Sequence, residues 1–179
     1  MSLRDALLRT LRSAARGVVR HAFRTPPNPA PTAQPGTRRA PAASGYPGDF
    51  TGMPPVSYTP MAGRTPDPGE VAWAWVPYEE DHRRGKDRPV LLIGRAEGWL
   101  LGLPLTSLDH DRDAAQEARE GRFWMDIGSG AWDAQGRASE VRLDRVVRID
   151  PAKVRRASVA LDRALFDAVI AGVRRHATP

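Results

Sequence analysis

Apolar and polar positions alternate with a strand period through the middle of the chain. Glu70-Val71-Ala72-Trp73-Ala74-Trp75-Val76 is rich in β-forming residues. A charged stretch, 77–87, follows it. Two more apolar runs then predict strands over 89–95 and 99–105, separated by Ala96-Glu97-Gly98 as a turn. Such short interruptions favour an antiparallel meander. Further on, Phe123-Trp124-Met125-Asp126-Ile127 reads as another strand. A long, bent strand is predicted over 140–149, stopped by Pro151, with one helical turn over 151–154. The polar run 109–121 reads as a short exposed helix or an ordered loop.

The period changes to helical near the end of the chain. Leu165, Val169, Ile170 and Val173 line one face, with Asp162 as N-cap and Leu161 and Phe166 spaced as a hydrophobic staple. Arg174, Arg175 and His176 close the helix, where its dipole favours positive charge. A second helical pattern covers 3–23: Leu3, Leu7, Leu8, Leu11, Val18 and Val19 form a stripe, with six arginines around it. Between these patterns, 25–68 holds twelve of the 17 prolines. This composition predicts an extended or disordered linker. Tyr46, Phe50 and Tyr58 are its only aromatics, either incidental or docked on a neighbouring domain. The expected organisation is a basic amphipathic helix over 1–24, a disordered linker over 25–67 and a folded domain over 68–179.

Composition sharpens this picture in three places. The chain has no cysteine, which removes disulfides, thiol nucleophiles and cysteine-based zinc sites. No apolar run approaches the roughly 18 residues of a membrane-spanning helix. The net charge of +6 belongs to the first 67 residues, which hold 9 basic and 3 acidic residues; the remainder holds 18 of each. Nucleic-acid binding by the domain therefore requires a local basic patch, not a global field. The arginine, alanine and proline usage suits a GC-rich bacterial genome, and with it a cytoplasmic location.

Two strand ends present groups suited to phosphate: the Arg88 guanidinium, where the second strand begins, and the Thr106 hydroxyl, where the third ends. The surrounding motifs are Gly69-Glu70-Val71-Ala72-Trp73, Arg88-Pro89, Pro104-Leu105-Thr106 and Val146-Val147-Arg148-Ile149-Asp150, followed by a C-terminal helix. In this order and spacing the region from Gly69 to Arg175 resembles the MazF/PemK family of toxin ribonucleases.

The resemblance implies a small, mainly antiparallel, SH3-like β-barrel of the CcdB/PemK type with a C-terminal helix. It implies a sequence-specific, metal-independent endoribonuclease that needs no cofactor, acts on single-stranded RNA and is restrained by an antitoxin protein. It also implies a homodimer with RNA grooves at the dimer interface. Arg88 and Thr106 occupy the positions of the family's catalytic residues. The charged loop 79–87 corresponds to a flap over RNA, and otherwise reads as a solvated hairpin loop. A family position that often holds Gln falls here at Arg145, next to Asp144, and both are substrate-binding candidates. Lys86 and Ser107 join them by adjacency. An alternative from a different class is a non-catalytic binding or regulatory module on the same barrel.

Two other constellations fail on chemistry. Asp109-His110-Asp111-Arg112-Asp113 lacks the glycine turn and bidentate glutamate of a calcium loop. Gly128-Ser129-Gly130 lacks the spacing of a hydrolase nucleophile elbow. The 1–24 helix remains open to an anionic membrane surface, nucleic acid, a partner groove, or packing on its own domain. Its composition predicts salt-sensitive binding of a synthetic 1–24 peptide to anionic vesicles or RNA, each basic residue near a membrane adding about 1 kcal/mol. A peptide that stays unbound to both ligands at low salt contradicts this.

Overall fold

The fold is described from a computed structural model covering residues 45–61, 63, 65–108 and 114–176. Strand β1, Glu70–Pro77, pairs antiparallel with β2, Gly85–Ala96, in one register from Val71↔Leu91 to Pro77↔Gly85. Strand β3, Trp99–Thr106, returns along β2 with an irregularity between Leu92 and Gly94. This is the meander that the alternation predicts. Helix α1, Ala114–Arg119, and strand β4, Trp124–Asp126, follow.

The expected strand over 140–149 is instead two short strands, β5, Glu140–Arg142, and β6, Val147–Ile149. They share β3 between them. Leu105 and Thr106 pair with β5, whereas Leu100, Leu101 and Gly102 pair with β6. The chain turns between the two, and Leu143 joins the core beneath the C-terminal helix. A 3-10 turn, Pro151–Lys153, is capped by Asp150, which accepts from the Ala152 amide at 3.0 Å. Strand β7, Arg155–Ala160, pairs with β1, and helix α2, Arg163–His176, ends the domain. The sheet order is β4-β5-β3-β2-β1-β7, with β6 also on β3. The result is a mainly-β, curled half-barrel with one C-terminal helix.

Each face of the curl has its own core. Ala72, Ala74, Val76, Val90, Leu92, Leu100, Val147 and Ile149 pack together on one face. The small side chains of β1 leave room for β6 to fold over them. On the other face Val71, Leu91, Leu101, Leu103 and Leu105 pack against Phe166, Val169, Ile170 and Val173 of α2. Asp162 caps α2 as expected, accepting from the Ala164 and Leu165 amides at 2.9 and 3.1 Å. Trp73 and Trp75 are half-buried, and the Trp73 indole N–H donates to the Trp132 carbonyl at 2.8 Å.

The linker expectation needs correction for residues 45–61, which pack on the domain. Phe50 bridges Val146 and Val56 bridges Gly94. The Ser57 amide donates to the Ile93 carbonyl at 3.0 Å. The Tyr58 hydroxyl donates to the Leu161 carbonyl at 2.8 Å, and its ring meets Phe166 edge-on at 5.0 Å. Proline prevents a continuous ladder, but isolated bridges and partly buried aromatic rings together offset the cost of ordering. Two glycines accommodate this packing. A Cβ on Gly94 would lie 1.8 Å from the Pro55 carbonyl oxygen. Gly69 has φ +101° and would carry a Cβ 2.7 Å from the Tyr58 ring. The helix expected over 3–23, the rest of the linker up to residue 44 and the run 109–113 lie outside the described residues.

The packed extension predicts that a 68–179 fragment is markedly less stable than a 45–179 fragment. Within the intact chain, Tyr58→Ala should cost about 2–4 kcal/mol, judged from buried aromatic truncations. Urea denaturation of both fragments and of the variant checks this; equal midpoints for the two fragments contradict it.

Candidate phosphate-binding site

Strand register places the key side chains. Arg88 lies directly opposite Ala74 on β1. The β2–β3 ladder ends at Val90↔Pro104, and Arg88 and Thr106 lie two residues beyond it, on the same face of the sheet as that pair. Thr106 is in turn opposite Glu140, and Glu140 is opposite Asp126. Directly opposed residues in antiparallel strands project to the same face. Strand β2 starts at Gly85, not at residue 89 as expected, so Arg88 lies inside the strand, while Thr106 is the last residue of β3. The two share one face of the sheet, with Glu140 and Asp126 continuing from Thr106.

Arg88 is half-buried, and its Nε is buried without a hydrogen-bond partner. No carboxylate pairs with it among the described residues. Burial pulls its pKa below the usual guanidinium value, and the like charges of Arg145 and Arg142 act in the same direction; Tyr78 opposes them.

The two neighbouring arginines are neutralised. Arg142 donates to Glu79 at 2.9 Å and to Asp144 at 2.7 Å, and the Arg142 and Asp144 side chains are each only 10% exposed. Burial lowers the Arg142 pKa, but the hydrogen bonds to Asp144 and Glu79 outweigh it and the net shift is upward. Arg145 donates to Asp49 at 2.6 Å and to the Pro77 carbonyl at 2.9 Å. One guanidinium in a cluster of three is therefore left without a counter-charge.

Thr106 Oγ1 accepts from the Leu108 amide at 3.1 Å, the contact of a strand-end cap. That bond uses a lone pair, so the hydroxyl proton can still be donated to an anion. Lys86, two residues before Arg88 on the same face, is exposed; burial and the Arg88 charge both lower its pKa. Ser107 is exposed beside Thr106. Asp144 accepts from the Phe123 amide at 2.7 Å as well as from Arg142, so both its oxygens are engaged within the protein. Arg145 is 8% exposed and already ion-paired.

Lys86, Arg88 and Thr106 share one face, whereas Asp144 and Arg145 serve as its buried frame. Sequence reasoning missed Arg142, although the alternation Glu140-Val141-Arg142 sets it on the face opposite the buried Val141. It also missed Tyr78 and Asp49; no spacing rule connects Asp49 to a site 96 residues away.

The curled sheet and the C-terminal helix define a small, mainly-β domain. Residues 67–176 match the family described as PemK-like, MazF-like toxin of type II toxin-antitoxin system. The chain belongs to that family. Among solved structures it is similar to "Crystal structure of MazE-MazF (Form-II) from Deinococcus radiodurans", at 20% identity over 63% of this chain and 92% of that one, with a TM-score of 0.38. No curated protein sequence matches.

A buried cation without a partner opposes folding. Arg88→Met should therefore stabilise the protein, by about 1 kcal/mol or more, while removing the anion site. Inorganic phosphate should raise the melting temperature of the parent and leave that of the variant unmoved. Thermal melts with and without phosphate check both points; a less stable Arg88→Met contradicts the reading.

Proposed function

We propose that this chain is a toxin ribonuclease that cuts single-stranded RNA at specific sequences without a metal ion, and that an antitoxin protein restrains it. The observation that carries the reading is the half-buried Arg88 guanidinium, which has no counter-charge among the described residues and lies on the same face of the sheet as the Thr106 hydroxyl. Membership of the PemK/MazF-like toxin family supports it independently.

The chemistry follows from what RNA cleavage requires. The 2′-hydroxyl loses its proton and attacks the adjacent phosphorus, the pentacoordinate species gathers negative charge, and the 5′-oxygen leaves with a proton. Arg88 is assigned to the nonbridging oxygens, where it offers paired N–H donors and a full charge. Burial and the two like charges also make it a stronger acid than an exposed arginine, which suits proton donation to the leaving oxygen. Thr106 adds a neutral hydrogen bond to a second oxygen. Lys86 and Ser107 are assigned to flanking phosphates. Arg142 and Arg145 act through the field at Arg88, with Asp144 and Asp49 limiting their charge. The reading carries with it a homodimer with RNA at its interface and a cytoplasmic location.

Arg88→Ala should lower the cleavage rate by about 10²–10³-fold or more, by analogy with loss of an oxyanion donor. Arg88→Lys should also be poor, because an ammonium keeps the charge and loses the planar fork. Thr106→Ala should cost less. Cleavage of a long RNA in EDTA, with mapping of the cut sites, measures all three. Parental cleavage by Arg88→Ala overturns the assignment. A parent that binds RNA or a protein partner tightly and never cuts favours a non-catalytic module.

A further inference from the structure

A cavity of about 390 Å³ adjoins the phosphate site. Its size falls within the range of about 300–1,000 Å³ typical of small-molecule sites. It lies between β1 and the stretch leading from β6 through the 3-10 turn into β7. Ala74, directly opposite Arg88, lines it, as does Pro77, whose carbonyl accepts from Arg145. The cavity is thus one strand away from the unpaired guanidinium.

The lining has a distinct chemistry. Three aromatic rings contribute, Tyr46, Trp75 and Trp99, and so do three cations, Arg148, Lys153 and Arg155. Tyr46 and Trp99 meet edge-on, 6.3 Å apart with planes at 86°. Two buried donors among these residues have no hydrogen-bond partner: the Trp75 indole N–H and the Arg148 Nε–H. Lys153 and Arg155 have Asp150 and Asp87 for partners, at 3.5 and 2.7 Å. Among the described residues the acidic partner of Arg148 is Glu97, at 3.5 Å and largely exposed; Arg148 also donates to the Gly48 and Asp49 carbonyls and lies over the Phe50 ring. Such a lining suits a flat ligand rich in acceptors and carrying negative charge.

We infer that this cavity is a nucleobase subsite, taking a base of the nucleotide chain whose phosphate lies at Arg88, and that Tyr46 of the packed extension forms one of its walls. Tyr46 precedes the family-matching stretch, which begins at residue 67, so this wall is an addition to the shared domain. The inference rests on the RNA reading above for the nature of the ligand. Aromatic rings stack on any base, and the cations around them favour the negatively charged chain that carries it. Tyr46 thereby acts on substrate choice rather than on the chemical step.

The test uses the full chain, with a labelled 2′-O-methyl RNA of mixed sequence for binding and a cleavable RNA for kinetics. Tyr46→Ala removes the wall. Ala152→Trp fills the cavity from an exposed lining position. Tyr46→Phe keeps the ring and removes only the hydroxyl bonded to Asp49. Melting curves establish that all three variants fold. Loss of one stacked base predicts about tenfold weaker binding or more for Tyr46→Ala and Ala152→Trp. Their KM should rise more than their kcat falls, their preferred cut sites should change, and Tyr46→Phe should stay near the parent.

Parental affinity and unchanged cut sites in both Tyr46→Ala and Ala152→Trp overturn the inference. Equal losses in Tyr46→Phe and Tyr46→Ala also overturn it, by tracing the effect to Asp49. Tyr46-dependent binding of an acidic aromatic peptide, with no binding of the oligonucleotide, overturns it in favour of a protein ligand. Tyr46-dependent oligonucleotide binding without any cleavage sustains the subsite and sinks the ribonuclease reading alone.

Discussion

A guanidinium held half-buried, with no carboxylate against it among the described residues, is the constraint around which this domain is arranged. Arg88 lies close enough to Arg142 and Arg145 for both to depress its pKa. Three cations so placed repel one another, and the protein limits the repulsion selectively. Asp144 and Glu79 neutralise Arg142, and Asp49 neutralises Arg145. Arg88 alone keeps its charge uncompensated. The two apolar cores supply the stability that tolerates it, much as strained or unpaired groups elsewhere persist where the surrounding structure holds them.

The N-terminal extension is part of that arrangement. Its Asp49 carboxylate reaches Arg145, while Arg148 holds the carbonyls of Gly48 and Asp49 and covers the Phe50 ring at 5.1 Å. Further along, Pro55 passes so close to β2 that only glycine fits at position 94. Tyr58 then closes over Gly69 and Phe166. These contacts join residues 45–61 to β2, β6 and α2. In this chain the electrostatics of the site depend on a segment outside the stretch that matches the PemK/MazF-like family.

Membership of that family and the geometry of the site bear on different questions. The family match assigns the chain to a class of toxins. The geometry explains how such a chain could grip a phosphate. Fold alone supports neither an activity nor its absence, because function resides in the placement of particular groups. Here those groups are a charged fork, a hydroxyl with its proton free to donate, and an aromatic cavity one strand away.

Much of this was legible in the linear chain. Alternation identified β1, β2 and β3, because a half-buried sheet stamps its period on the residues. Asp162, Leu161 and Phe166 marked the start of α2, because capping depends on neighbours a few residues apart. Arg88 and Thr106 drew notice for their chemistry, but the start of β2 was misplaced. The strand begins at Gly85, so Arg88 lies within it, because pairing with β1 carries charged residues of the expected loop into the ladder. What the sequence left undecided depended on contacts between distant segments. The strand over 140–149 broke because Val141 and Val147 pair with Leu105 and Gly102, so the longer segment between them has to leave the ladder. Asp144 and Arg145 proved to be a buried frame because Arg142, Asp49 and the Pro77 carbonyl converge on them. The proline-rich stretch ordered because Phe50, Val56 and Tyr58 found places on a surface that composition cannot display. Local propensity sets local conformation, but the partner of a charge, or the wall of a cavity, exists only once the chain has closed on itself.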